Sequence, residues 1–241
     1  MEREGTKATT AKRKESEMSV FSKAYLVLYN GVQTAGWGYL LFNTVKFLIE
    51  KQTVVGLWPE CKTTVAIFQT LACLEVVHCM IGIVPSSALV TFMQVFSRVF
   101  MVWAILIPVK EAQDAPSLAV TFIAWGITEV VRYSYYATNL LGCSPGFLTW
   151  CRYSLFLGLY PMGVAGEMGN ILYALNPIWR RRLFNIALPN KFNISFNFYY
   201  ACIILMLTYV PVFPELFNHM RRQRKKILGG GSENKPEKKS T

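Results

Sequence analysis

The sequence predicts an all-α membrane protein, a bundle of six transmembrane helices around a central cavity. Three observations carry that expectation. The 241 residues are 53% hydrophobic and 14% aromatic, with only 16% charged. Apolar runs of about 20 residues recur along the chain, each long enough to cross a bilayer. The formal net charge of +11 gathers outside those runs: residues 1–23 hold six Lys/Arg against four Glu, and residues 218–241 hold eight against two. Basic segments that flank membrane helices mark the cytoplasmic side. No stacking aromatics interleave with them, so the expected partner is the lipid bilayer and not nucleic acid.

Each element follows from local pattern. Residues 1–23 are polar and form an expected disordered tail on the cytosolic side. The membrane domain covers residues 24–217. Its first span, about 25–49, carries Gly31, Gly36 and Gly38, which suit close helix contacts. With no cleavable signal ahead of it, this span is expected to be the anchor itself. The second span, about 64–84, places Glu75 and His78 on one face. A turn at Pro85 leads to the third, about 88–107, with Gln94 and Arg98 four apart. A polar loop over 108–116 precedes the fourth, about 117–138, which holds Glu129, Arg132, Tyr133, Tyr135 and Tyr136.

The fifth span, about 147–170, contains Arg152, Tyr160, Pro161, Gly163 and Glu167. A connection through Arg180, Arg181, Arg182 and Lys191 leads to the sixth, about 198–217, with Pro211 and Pro214 near its end. Residues 218–241 form a second basic tail, and its Gly229-Gly230-Gly231 run makes it flexible. Six spans put both tails on one side, which leaves the arginine cluster of 180–182 on the other, against the positive-inside rule. Either that cluster occupies a helix end that packs inward, or one span is re-entrant. The triplet Asn193-Ile194-Ser195 in the same connection is a glycosylation pattern.

The six cysteines form no C-x-x-C pair, and neither a disulfide framework nor a metal site is expected. Charge within the spans is more informative. Glu75, Glu129 and Glu167 balance Arg98, Arg132 and Arg152, and a charge in hydrocarbon needs a partner, a water-filled cavity or a function. Glu75 and Arg98, near mid-depth on consecutive antiparallel spans, are expected to pair across helices. Glu129 and Arg132 are expected to pair as i,i+3 neighbours. Arg132 and Arg152 fall toward the cytoplasmic end, where an arginine either snorkels to head groups or clamps a phosphate. Tyr133 either sits in an interfacial belt or lines the cavity.

Tyr160 and Glu167 are the candidate catalytic pair. Seven residues apart, they share a helix face but are separated by about 10 Å along its axis, too far for a direct hydrogen bond. Pro161, Gly163 and Gly166 allow a bend or close packing between them. A substrate fits between a phenol and a carboxyl so placed. The same charges are compatible with a non-enzymatic scaffold or a small transporter. A transporter, however, is expected to show paired broken helices or an inverted repeat, and the sequence shows neither.

The segment Val77-His78-Cys79-Met80-Ile81-Gly82-Ile83-Val84-Pro85-Ser86 echoes the H-C-x-x-G-x-x-R-S loop of protein tyrosine phosphatases. Pro85 stands where the phosphate-binding arginine is required, so phosphatase chemistry is not expected. That defective echo joins four ordered blocks: Gln69 to Glu75 and His78; Gln94 to Arg98; Trp125, Glu129, Arg132, Tyr133, Tyr135 and Tyr136; and Arg152, Phe156, Leu159, Tyr160, Pro161, Gly163 and Glu167. On these the chain resembles the very-long-chain (3R)-3-hydroxyacyl-CoA dehydratases, the protein-tyrosine-phosphatase-like family, from about residue 25 to 217.

The resemblance implies dehydration of a long-chain 3-hydroxyacyl-CoA to the trans-2-enoyl-CoA, the third step of fatty-acid elongation in the endoplasmic reticulum membrane. It implies fatty-acid elongases and the other enzymes of that cycle as partners, and Tyr160 and Glu167 as the acid–base pair. Arg132, Tyr133, Arg152, Arg98, Glu75 and Gly163 are the further candidates for substrate binding. No metal or redox cofactor is expected, the CoA thioester being the substrate. Lys238 and Lys239 resemble a dilysine retrieval signal, which requires a cytosolic C-terminus.

Overall fold

Ser19 opens the first helix: its hydroxyl accepts a hydrogen bond from the Ser22 amide at 3.5 Å, capping α1, Val20–Lys51. A computed structural model of the protein describes residues 19–189, 191 and 193–229. The expected tails fall largely outside these residues, and the dilysine pattern lies wholly outside them. Gln52, in the left-handed conformation, ends α1. Leu26, Asn30, Gln33, Trp37, Leu40 and Thr44 form its buried stripe at spacings of three and four, the period of one helix face.

α2, Leu57–Leu71, and α3, Cys73–Met80, continue one another across a break at Ala72. Gly36 on α1 makes room for α2: a Cβ there would lie 2.0 Å from the Phe68 ring. Gly82, at φ +78°, turns the chain out of α3, a conformation that favours glycine. α4, Ala88–Phe100, runs on into a π-helical segment, Met101–Leu106, where the Ile107 amide reaches back five residues to the Val102 carbonyl. The expected polar loop contains a single turn, α5, Lys110–Gln113.

α6, Pro116–Leu140, begins with proline at its first position, where the missing N–H costs nothing. It lies at the centre, packed on α1 along one side and on α8 along the other. The expected fifth span is two helices, α7, Gly146–Ser154, and α8, Phe156–Arg181, meeting at Leu155. α9, Phe198–Leu228, closes the order. No strand longer than a single bridge, Ile186 with Phe196, occurs among the described residues.

Helices overlie each of the expected spans, but not all of them qualify as membrane-crossing. By length and mean hydropathy, three qualify as membrane-crossing among the described residues: Leu57–Met80 at 1.4, Ala88–Leu106 at 1.8 and Phe198–Leu228 at 1.7. The all-helical membrane architecture stands. The helices over the other three expected spans are diluted by their own interior groups, such as Asn30 and Gln33 on α1, Glu129 and Arg132 on α6, and Glu167 and Asn170 on α8. α9 is the opposite case, with Ile204, Leu207 and Val210 exposed. Its apolar face is available to lipid.

Helix boundaries run past the expected spans: α2 starts seven residues early, at Leu57, and α8 continues to Arg181. α1 starts five residues before the expected span, and α9 continues through the basic run to Leu228. The arginine cluster does occupy a helix end, the last turn of α8, but it does not pack inward. Arg180 and Arg181 are exposed, and Arg181 pairs with Glu111 of α5.

α6 and α8 approach at two glycines of α8. A Cβ on Gly166 would fall 2.5 Å from Thr121 Oγ1, and one on Gly169 would fall 2.6 Å from Ser117 Cβ. Asn170 ties the contact, accepting from the Ser117 hydroxyl at 2.7 Å and donating to Thr121 Oγ1 at 2.9 Å. Small residues bring backbones close and polar side chains bond across them, the usual helix–helix adhesive in a membrane. This contact fixes α8 one turn from Glu167.

Candidate active site

Glu167 sits on the buried face of α8 between α6 and α9. Trp125 Nε1 of α6 donates to its Oε1 at 2.9 Å, and the Tyr209 hydroxyl of α9 donates to its Oε2 at 2.7 Å. Both oxygens of the carboxyl are therefore held by donors from neighbouring helices. Trp125 is itself fixed by edge-on packing against Trp37 of α1, with ring centroids 6.5 Å apart.

Tyr160 lies two turns away on the same helix. Its ring stacks on Phe213 of α9, with centroids 5.0 Å apart and planes 1° apart, and Phe217 follows at 6.4 Å. α8 and α9 thus pair antiparallel, with Tyr209 and Phe213, four residues apart, serving Glu167 and Tyr160 in turn. Tyr160 is partly buried, its ring held by these two neighbours. Gly163 lies between the two, buried, with 3.8 Å from its would-be Cβ to Ala124 of α6. The hydrogen bonds of Glu167 go to Trp125 and Tyr209, not to Tyr160.

One turn along α6 from Trp125 begins an ion ladder. Arg98 of α4 donates to Glu129 Oε1, and Arg132 lies 2.7 Å from Glu129 Oε2. Arg132 also grips Glu75 of α3 with two bonds, at 3.1 and 2.7 Å, and donates to the Tyr133 hydroxyl at 2.7 Å; that hydroxyl in turn donates to Glu75. The expected Glu75–Arg98 pair is not formed. Both groups instead turn to α6, because the central helix offers each an opposite charge: Arg132 for Glu75, Glu129 for Arg98. The i,i+3 pairing of Glu129 with Arg132 is present.

This ladder closes α3, α4 and α6 upon one another through bidentate, mutually bonded charges, the geometry in which a buried pair is tolerated. Tyr133 is buried in it and is not a belt residue. Arg132, held by two carboxylates, has little capacity left for a phosphate. His78 stands outside the ladder, its Nε2 2.9 Å from the Tyr25 hydroxyl. The two border an open apolar groove of about 410 Å³ with Phe21, Leu74, Val77 and Ile83.

Arg152 of α7 is different. It lies beside the rings of Tyr136 and Tyr153, 5.9 Å from each centroid, and donates to the Tyr136 hydroxyl at 3.4 Å. No carboxylate pairs with it among the described residues.

Sequence reasoning missed Tyr209, and it placed Trp125 in a pattern without giving it a role. The available signal for Tyr209 was weak, a single phenol in the apolar run Ile203 to Val210. Among the described residues, no group of three His, Cys, Asp or Glu stands together to hold a metal ion.

Fold and site together define an all-helical membrane protein with a carboxyl and a phenol two turns apart on one helix, both held by the last helix. Residues 69–230 match the model of the protein tyrosine phosphatase-like protein family, PTPLA, and the chain belongs to that family. It is 46% identical over 217 residues to very-long-chain (3R)-3-hydroxyacyl-CoA dehydratase 1 of Mus musculus, covering 90% of this chain and 77% of the relative. Identity to the human dehydratase 2 is 46% over 212 residues, 88% of this chain and 84% of that protein. The Caenorhabditis elegans dehydratase hpo-8 is 42% identical over 214 residues, 88% of this chain and 98% of its own length. No solved structure matches the chain.

Proposed function

We propose that the protein dehydrates very-long-chain (3R)-3-hydroxyacyl-CoA to trans-2-enoyl-CoA within a bundle of six membrane-spanning helices. The names of its relatives supply the reaction, and the observation that supports this site for it is the pair of donors on Glu167. An indole N–H can only donate, so Oε1 facing Trp125 must be an acceptor. Two donors from α6 and α9 hold both oxygens in place, the fixed geometry that a general base needs.

Glu167 takes the proton from the carbon next to the thioester carbonyl. The electron pair forms the new double bond as the C3–oxygen bond breaks, and Tyr160 gives its proton to the departing hydroxyl, which leaves as water. The proton on Glu167 then returns to the Tyr160 phenolate through solvent or the product water, restoring both groups. Proton transfer by a positioned pair contributes about 10²–10⁴-fold for each partner. This scheme calls on side chains alone, with no cofactor beyond the CoA of the substrate.

The ladder of Glu75, Arg98, Glu129, Arg132 and Tyr133 serves in this reading as the frame that holds α6, and hence Trp125, against Glu167. Gly163 leaves space between phenol and carboxyl for the reacting carbons. The acyl tail lies along apolar helix faces or opens to lipid. We further infer residence in the endoplasmic reticulum membrane with both termini cytosolic, beside the elongases that make the substrate and the reductase that consumes the product.

The test is conversion of a long-chain (3R)-3-hydroxyacyl-CoA by detergent-purified protein, with the enoyl product identified by mass spectrometry. Formation of the trans-2-enoyl thioester supports the reading. A folded protein inert at every chain length would sink it in favour of a scaffold.

A further inference from the structure

The basic end of α9 is joined to α7 by one hydrogen bond, from Arg224 Nε to the Ser154 hydroxyl at 3.2 Å. Ser154 is buried, and Arg224 is partly buried whereas Arg221, Arg222 and Lys225 around it are exposed. Two residues before Ser154 on the same turn of α7 stands Arg152. Its Nε is buried with no hydrogen-bond partner, and its contact with Tyr136 is long, at 3.4 Å.

Two guanidiniums therefore flank one turn of α7 at the same end of the bundle. Among the described residues neither is paired with a carboxylate, although Arg98, Arg132 and Arg181 all are. A partly buried arginine without an acid is an uncompensated charge, costly in the free protein and favourable once an anion arrives. Its planar fork suits phosphate oxygens, and the aromatic rings beside Arg152 hold that fork in place.

We propose that Arg152 and Arg224 form the binding site for the phosphates of coenzyme A. This rests on the dehydratase reading, because it identifies the anion as the far end of the thioester bound at Glu167. Fifteen residues separate Arg152 from Glu167, at most about 22 Å across the α7–α8 junction, a distance that an extended pantetheine arm covers. Two cations on either side of one turn suit a ligand whose phosphates are spread along its length better than a single small anion. The exposed Arg221, Arg222 and Lys225 draw such a polyanion toward the mouth.

Direct binding tests the proposal without relying on turnover. Full-length protein in nanodiscs is titrated with CoA and, as the phosphate-free probe, with pantetheine, for wild type, Arg152→Gln/Arg224→Gln and the charge-preserving Arg152→Lys/Arg224→Lys. CoA affinity is expected to fall about tenfold or more in the glutamine variant, with pantetheine affinity unchanged and the lysine variant intermediate. If the double glutamine variant does not fold, each single substitution is expected to weaken CoA alone by several-fold. Unchanged CoA affinity overturns the site, and equal loss for both probes makes the arginines structural. If CoA affinity is unchanged while association with phosphatidylserine is lost, the ligand is a lipid head group. Wild type that binds CoA through these arginines yet dehydrates nothing would leave this site standing and refute the reaction.

Discussion

The Tyr209 hydroxyl donates to Glu167 Oε2 at 2.7 Å, joining the last helix of the bundle to the carboxyl that α8 carries. Trp125 holds the other oxygen from the opposite side at 2.9 Å. The carboxyl is thereby fixed in position and left free to accept.

Removing either donor should slow the reaction without emptying the site. A hydrogen bond to a charged group contributes about 1.5–3 kcal/mol, and about 1.4 kcal/mol is a factor of ten in rate. Tyr209→Phe and Trp125→Phe are expected to lower kcat about 10- to 100-fold with KM little changed. Steady-state kinetics on purified variants checks this, and an increase confined to KM would place the two residues in substrate binding instead.

The ladder should behave as structure. Arg132 is shared by Glu75 and Glu129, so Arg132→Leu leaves Glu75 without a cation and Glu129 with Arg98 alone. Breaking a buried pair from one side costs about 3–5 kcal/mol. Denaturant unfolding in detergent should show Arg132→Leu much less stable than wild type. Glu50→Gln, which removes an exposed i,i+4 pair with Lys46, should change stability by less than about 0.5 kcal/mol.

The glycines of α8 give a graded test of helix contact. Gly166→Leu must push against Thr121, whose backbone nitrogen lies 2.9 Å from the new Cβ, so α6 and α8 must separate and Trp125 must leave Glu167. Loss of activity together with a lower melting temperature is expected. Gly158→Ala meets nothing within 4 Å and should leave both measurements near wild type.

Much of this arrangement was legible in the sequence because its signals are local. Apolar length marked the all-helical class, and i,i+3 spacing gave the Glu129–Arg132 pair. Tyr160 and Glu167 were placed on one face by a period of seven. Pairing across helices was less accessible. Glu75 and Arg98 looked like mutual partners as neighbours in the chain, yet α6 lies between α3 and α4 in charge terms and takes both. Tyr209 had no local signature either: its role comes from the antiparallel register of α8 and α9, which only packing reveals. The division of the fifth span at Leu155 carries neither proline nor glycine at the break, so no residue announced it.

The most direct test of the central claim is dehydration of a long-chain (3R)-3-hydroxyacyl-CoA by wild type, Tyr160→Phe and Glu167→Gln, each shown to be folded by its unfolding curve. Tyr160→Phe keeps the ring stacked on Phe213, and Glu167→Gln keeps an acceptor for Trp125, so both should fold. Wild type should be active, with a loss of about 10²–10⁴-fold in each variant. Variants that retain most of the wild-type rate would contradict that claim.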